Sequence, residues 1–357
     1  MFGQKKYQRD KVLKILVIRL SAMGDVAMTA PVLYSFINKY PNVKLSVLSQ
    51  KSFSSFFSSA KIHFIGIDLR YYKGLKGLYE LFKILKKEKL DLVIDLHDVL
   101  RSNILRFFFR YIGGTKVFVV DKGRKDKRAL TRKKNKILKP LKTTVERYAD
   151  VFKAAGFEVT PDSCNICDTS VDIPDKIAAI LPDDKSTVCI GIAPFAAHQG
   201  KIYPLEKMAE ALDYLSMKGF YLFLFGGGNN EKLQLQEWES KFPNCISIAG
   251  KLSLKEELQL ISRLDLMLSM DSANMHLASL VDTTVVSVWG ATHPYAGFTG
   301  WQQSSENIVQ IDKPCRPCSV YGNKKCYLTD TPYACMREIS PSMIIEKIMS
   351  VVGKLDK

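Results

Sequence analysis

Leu268-Ser269-Met270-Asp271-Ser272-Ala273-Asn274-Met275-His276-Leu277-Ala278 carries an apolar run into a short polar turn and then into helix-spaced apolar positions. This is a strand, a turn and a helix. The first N–H groups of a helix lack intrahelical partners and sit at the positive end of its dipole, so Ser272, Ala273 and Asn274 are placed to grip a phosphate. Asp271 accepts hydrogen bonds only and suits a ribose hydroxyl; His276 follows on the first turn. A second β-rich run, 284–289, then delivers Gly290-Ala291-Thr292-His293-Pro294. Two such loops at adjacent strand ends of a parallel sheet make a crevice. On these residues alone a plainer reading stands beside it: Asp271 caps a helix and His276 is a half-buried histidine.

The same alternation extends upstream. Strands are expected at 187–193 and 220–225, helices at 204–218 and 231–241, and Ser253-Leu254-Lys255-Glu256 is a capping box for the helix before the quoted stretch. The loop Ala193-Pro194-Phe195-Ala196-Ala197-His198-Gln199-Gly200-Lys201-Ile202-Tyr203-Pro204 brings Lys201 to the crevice of Asp271, where its ammonium can neutralise a diphosphate. Gly226-Gly227-Gly228 permits close backbone approach, and Glu231 can accept hydrogen bonds from a ribose or base; the triplet reads equally as a plain turn. A last amphipathic helix is expected at 340–355.

The first half has the same grammar. An apolar strand at 13–20 runs into Ser21-Ala22-Met23-Gly24-Asp25, and a helical pattern from Val26 stops at Tyr40-Pro41. Strands follow at 43–48, 62–67, 91–96 and 116–120, with helices at 75–87, 101–111 and 144–155. Such βαβ alternation specifies parallel sheets covered by helices. A weakly periodic stretch at 161–182 separates two Rossmann-like α/β domains, 1–165 and 166–357. Asp25, at a strand-to-helix turn, is either a helix cap or a carboxylate that deprotonates a bound hydroxyl.

A chain of 357 residues with 46% apolar and 25% charged residues fits two globular domains. No apolar run nears the roughly 18 residues that span a bilayer. The polar start, Met1 to Asp10, lacks a signal-peptide core, so a cytoplasmic protein with eight reduced cysteines is expected. The net charge of +16 points to an anionic partner: nucleic acid, acidic lipid or phosphorylated glycan. It peaks at 122–142, where Lys122, Arg124, Lys125, Lys127, Arg128, Arg132 and further lysines face only Asp126. That stretch is either a solvated loop or an anion-binding loop at a strand end. Cys315-x2-Cys318-x7-Cys326-x8-Cys335 has the look of a four-thiolate zinc set or of reduced structural cysteines, and Cys164-x2-Cys167 repeats its first spacing.

Nearly the whole chain resembles glycosyltransferase family 9, the ADP-heptose:lipopolysaccharide heptosyltransferases of GT-B fold. The resemblance rests on Arg19-Leu20-Ser21-Ala22-Met23-Gly24-Asp25-Val26, Lys201-Ile202-Tyr203-Pro204, Asp271-Ser272-Ala273-Asn274-Met275-His276-Leu277-Ala278, Val288-Trp289-Gly290-Ala291-Thr292 and Val145-Glu146-Arg147-Tyr148. It implies two Rossmann-like domains facing each other across a cleft and inverting transfer of a heptose, or related sugar, from an ADP-sugar-type donor. No cofactor or obligatory metal is implied, and the chain has no Asp-x-Asp triplet. Asp25 is then the general base. Lys201, Glu231, Asp271, Ser272, Ala273, Asn274, His276 and Thr292 hold the donor. Ser21, Met23 and Gly24, with Arg124, Lys125, Arg128 and Arg132, receive an acidic lipopolysaccharide inner-core or lipid A-type acceptor at the inner face of the cytoplasmic membrane. Ala273 stands where the family commonly has glycine, and Ala196 and Ala197 stand where hydroxyl residues often touch phosphate, which bears on the donor's identity. A nucleotide-sugar epimerase shares this fold and would need no acceptor. A nucleic-acid-binding protein is the other rival, but 122–142 holds no aromatic residue to stack bases.

Overall fold

A computed structural model describes residues 12–163, 166–167, 173–328 and 330–354. The chain divides into two compact units: Met1–Lys122 with Thr144–Ile166, and Gly123–Thr143 with Cys167–Lys357. Met1 to Asp10 and Cys164 lie outside the described residues.

Unit 1 is built on a five-stranded parallel sheet of β1 (Lys14–Ile18), β2 (Lys44–Gln50), β3 (Ile62–Ile67), β4 (Leu92–Asp95) and β5 (Lys116–Val119), ordered β3-β2-β1-β4-β5. Its central strands β1 and β4 are mainly apolar because both faces are covered, as parallel sheets require, with Asp95 at the end of β4 a buried exception. One face carries α3 (Gly74–Lys86) and α4 (Leu100–Phe107), which bury Leu78, Leu81, Phe82, Leu85 and Leu105 against Leu16, Ile18 and Val93. The unit also contains α1 (Met23–Ala27), α2 (Ala30–Lys39) and α6 (Thr144–Ala154), and Phe36 of α2 packs on Phe152 of α6 with ring centroids 4.8 Å apart. The single helix expected after Asp25 is thus two. Pro31 has no N–H to give the Ala27 carbonyl, so the ladder breaks there, and Asp25 sits inside α1 rather than in a turn before it.

Unit 2 holds six parallel strands: β6 (Cys189–Ala193), β7 (Tyr221–Leu224), β8 (Cys245–Ser247), β9 (Leu266–Met270), β10 (Thr284–Val288) and β11 (Ile308–Val309), ordered β11-β10-β9-β6-β7-β8. The short β8 and β11 are additions to the strands the sequence pattern predicts. Around them run α7 (Asp175–Ala178), α8 (Leu205–Met217), α9 (Asn229–Lys241), α10 (Leu254–Ile261), α11 (Ala273–Ser279), α12 (Ala334–Arg337) and α13 (Pro341–Val352). The capping box of α10 forms as expected: Ser253 Oγ accepts from Glu256 N, and Glu256 accepts from Ser253 N at 2.7 Å. Residues 161–182 are not wholly irregular, since α7 lies within them.

The boundary near residue 165 has an exception. The basic stretch 123–143 belongs to unit 2, and its first part is the helix α5 (Arg124–Thr131) rather than a loop. Leu130 is fully buried, Lys127 Nζ lies 4.0 Å from the centroid of the Phe298 ring, and Leu141 N donates to Tyr295 O. Lys136 Nζ donates to the carbonyls of Cys315 and Arg316 at 2.7 and 3.0 Å. Side-chain stems and carbonyl contacts remote in sequence fold this stretch, which is why its charge alone reads as solvated loop.

Candidate functional site

In a parallel α/β sheet, the C-terminal edge at the point where strand order reverses is where ligands bind. Unit 1 reverses between β1 and β4, and unit 2 between β6 and β9. The polar residues collect at those two points.

After β1, Arg19 is buried and donates through NH1 to Leu96 O at 2.7 Å, while its NH2 pairs with Asp25 Oδ2. Asp25 keeps about a third of its side chain exposed (32%), so its carboxylate is oriented by Arg19 yet open to solvent. Burial opposes the Arg19 charge, but Tyr148, Asp25 and Asp95 outweigh it and raise its pKa. At the end of β4, Asp95 is fully buried and accepts from His97 N and Asp98 N at 2.8 and 3.0 Å, and Arg106 lies 3.3 Å away. This clamp fixes His97, whose ring stands 3.4 Å from both Leu20 N and Ser21 Oγ. Of the other expected acceptor residues, Gly24 is buried and Met23 half-buried in α1. Arg124, Lys125, Arg128 and Arg132 are exposed in and just after α5, within unit 2.

No spacing in the sequence marks His97. Burial first, then Arg19 and Lys122, push its pKa down to about 3. The ring is therefore neutral in the native state while the unfolded ring binds a proton near the usual 6.5, so stability is full above about 6.5 and is lost as pH falls toward 3. Between pH 6.5 and 5 the parent should lose on the order of 2 kcal/mol from this residue. His97→Asn should flatten that limb in denaturant titrations at the two pH values. His293, pushed down to about 4 by burial and Arg316, keeps its own share of the same sign.

In unit 2, the loop after β6 ends in a 3₁₀ turn (Gln199–Lys201), and Lys201 Nζ lies 2.9 Å from Asp271 Oδ2 after β9. Asp271 is 4% exposed and the Lys201 side chain 15%, so the pair is largely removed from water. Ser272 is the N-cap of α11, its Oγ 3.2 Å from Ser269 Oγ; Ala273 and Asn274 form the first turn, and His276 is buried one turn on. After β10, Thr292 Oγ1 is buried with no hydrogen-bond partner among the described residues. Arg316 staples that loop by donating to Gly290 O and Thr292 O, the latter at 3.1 Å. After β7, Glu231 Oε2 accepts from Gly227 N and Gly228 N at 2.7 and 3.2 Å, closing the glycine turn as a cap of α9.

Glycine sets the position of Lys201. Gly200 O accepts from Ala291 N, and a Cβ on Gly200 would meet Ala291 Cβ at 2.8 Å and Gly322 O at 3.2 Å. Gly200→Ala should cost about 1–3 kcal/mol. Urea midpoints of the parent and the variant check this.

The four cysteines Cys315, Cys318, Cys326 and Cys335 do converge, lining one cavity of about 10 Å³. The zinc reading of these cysteines gains no support: among the described residues no three His, Cys, Asp or Glu side chains are arranged to hold a metal ion. Burial favours the neutral thiol, pushing Cys335 up to about 11 and raising Cys318, and Cys326 Sγ accepts from Tyr333 N at 3.3 Å.

Comparison with known proteins gives this geometry a family. The model of "Glycosyltransferase family 9 (heptosyltransferase)" matches residues 78–328. The chain belongs to glycosyltransferase family 9. Among family 9 relatives, the Escherichia coli lipopolysaccharide heptosyltransferase 3 is 25% identical over 304 residues, covering 81% of this chain and 85% of that one. The crystal structure of a family 9 glycosyltransferase from Veillonella parvula superposes with a TM-score of 0.72 at 18% identity, over 96% of this chain and 98% of that one. The Escherichia coli heptosyltransferase WaaC with ADP superposes with a TM-score of 0.65 at 17% identity, over 95% and 100%. Both structures share the GT-B fold of two parallel-sheet α/β domains.

Proposed function

We propose that this family 9 glycosyltransferase moves a heptose, with inversion, from an ADP-heptose donor to an acidic inner-core lipopolysaccharide acceptor at the inner face of the cytoplasmic membrane. The observation that carries the reading is the largely buried Lys201–Asp271 pair at the reversal point of the unit 2 sheet. In this reading Asp271 holds Lys201 ready for the donor diphosphate and takes a ribose hydroxyl. Thr292 Oγ1, Ser272, His276 and the backbone of Ala273 and Asn274 complete the phosphate and ribose contacts, and Glu231 meets the nucleoside. Unit 1 supplies the acceptor chemistry: Asp25 takes the proton of the attacking hydroxyl, with Ser21, Met23 and Gly24 shaping its approach. Arg124, Lys125, Arg128 and Arg132 meet acceptor carboxylates and phosphates.

The step balances as a single displacement. The acceptor oxygen bonds to the anomeric carbon from the face opposite the diphosphate, its proton passes to Asp25, and the electron pair of the breaking carbon–oxygen bond leaves on ADP. We assign neutralisation of the leaving diphosphate to Lys201 and to backbone N–H groups, so the reaction as proposed draws on no metal ion. The solved complex of Escherichia coli WaaC with ADP supports adenine in the donor. The family assignment favours transfer to an acceptor over epimerisation or nucleic-acid binding. Thermal-shift measurement against ADP, UDP, GDP and CDP tests the donor assignment: ADP alone should raise Tm. Selective stabilisation by another nucleotide, or none by any, overturns it.

A further inference from the structure

Helix α3 turns Leu78, Leu81, Phe82 and Leu85 inward, which leaves Tyr79 on its outer side. After α4 the chain makes one π-helical turn, Phe108–Ile112, which keeps Phe109 in the core and leaves Tyr111 and Ile112 outside. The rings touch in series: Tyr111 to Phe107 at 4.9 Å between centroids, Phe107 at 6.0 Å to the half-buried Phe108, which packs on the core, and Phe108 to Tyr79 at 5.3 Å. Phe107 and Tyr111 remain 53% and 68% exposed, and Leu100 at the head of α4 is 76% exposed. Exposed rings grouped in this way on a protein surface mark a place of contact.

Cations accompany it. Lys76 and Lys83 on α3 and Arg101 and Arg110 on the following helix are all exposed, and Lys83 Nζ lies 5.5 Å from the Tyr79 ring centroid. Glu80, paired with Lys83 at 2.7 Å, is the only acid in α3 or in residues 100–112. Amphipathic rings edged by basic side chains match the boundary between phosphate headgroups and acyl chains, where aromatic rings settle and each cation gains from an anionic surface.

We propose that the α3–α4 face of unit 1 is a docking surface for a bilayer containing anionic phospholipid. The inference deepens the proposed function, in that it names the surface by which an enzyme acting on a lipid-borne acceptor reaches it, and its test does not depend on turnover. The full chain is sedimented with vesicles of phosphatidylcholine alone and of phosphatidylcholine with phosphatidylglycerol. The parent should partition onto the mixed vesicles and stay in the supernatant with phosphatidylcholine. Phe107→Ser with Tyr111→Ser should lower the partition coefficient about tenfold or more. Arg101→Ser and Arg110→Ser should each lower it roughly fivefold, an effect that vanishes at high salt. All these variants should keep the parent Tm and the parent rate on a soluble, delipidated acceptor. A parent that ignores the mixed vesicles, or a serine pair that binds them as the parent does, overturns the proposal. So does a lipid-free dimer that the serine pair dissociates, since the strip would then be covered by a second copy. Loss of transfer with vesicle binding intact would instead count against the proposed activity.

Discussion

Asp25→Asn is expected to lower kcat by about three orders of magnitude while leaving ADP affinity within about twofold of the parent. Asparagine preserves the shape of the side chain and its capacity to accept a hydrogen bond from Arg19, so α1 and the Arg19 contacts to Leu96 and Tyr148 should survive. What it loses is a basic carboxylate on the partly exposed side of the residue. Donor contacts are assigned to unit 2 residues, hence the separation of kcat from ADP binding. The pair of measurements is steady-state transfer and calorimetric ADP titration. A variant that turns over at the parent rate removes Asp25 from the base role, and one that loses ADP binding as well points to a folding defect instead.

Lys201→Met should lower kcat/KM by about two to three orders of magnitude, because a positive charge at the leaving diphosphate matters most as that bond breaks. It should also destabilise the protein by on the order of 3 kcal/mol, since it leaves the Asp271 carboxylate almost fully buried without its counter-charge. The two effects come apart in a double variant. Adding Asp271→Asn to Lys201→Met removes the orphaned charge and should restore most of the lost stability with no gain in turnover. Recovery of both together would mean that Lys201 acts only as a structural counter-ion.

Much of this architecture was legible because it is written in local pattern. The buried strands β1, β4, β6 and β9 are apolar apart from Lys14, Asp95 and Ser269, and Ser253 with Glu256 announces α10 three residues apart. The site was partly legible for a related reason: Lys201 and Asp271 each follow a strand end, and strand ends of parallel sheets carry ligands. What no local pattern carries is strand order. Only the adjacency of β1 to β4 brings His97 to Ser21, 76 positions away, and a single histidine after a strand has no spacing to signal that. The basic stretch failed to read as α5 for the same reason, since Lys127 and Lys136 find partners at Phe298 and at 315–317. Glu231 shows the reverse case, in which a residue assigned to a ligand also has a local duty as the cap of its own glycine turn.

The proposed reaction is transfer of a heptose, with inversion, from ADP-heptose to an acidic sugar acceptor. The most direct measurement is to incubate the purified protein with ADP-heptose and a soluble inner-core acceptor, quantify ADP against new glycoside, and assign the anomeric configuration of that linkage by NMR. One ADP per glycoside, no product without acceptor, and an anomeric configuration opposite to the donor's are expected. Retained configuration, or a sugar product formed from the donor alone, would contradict it.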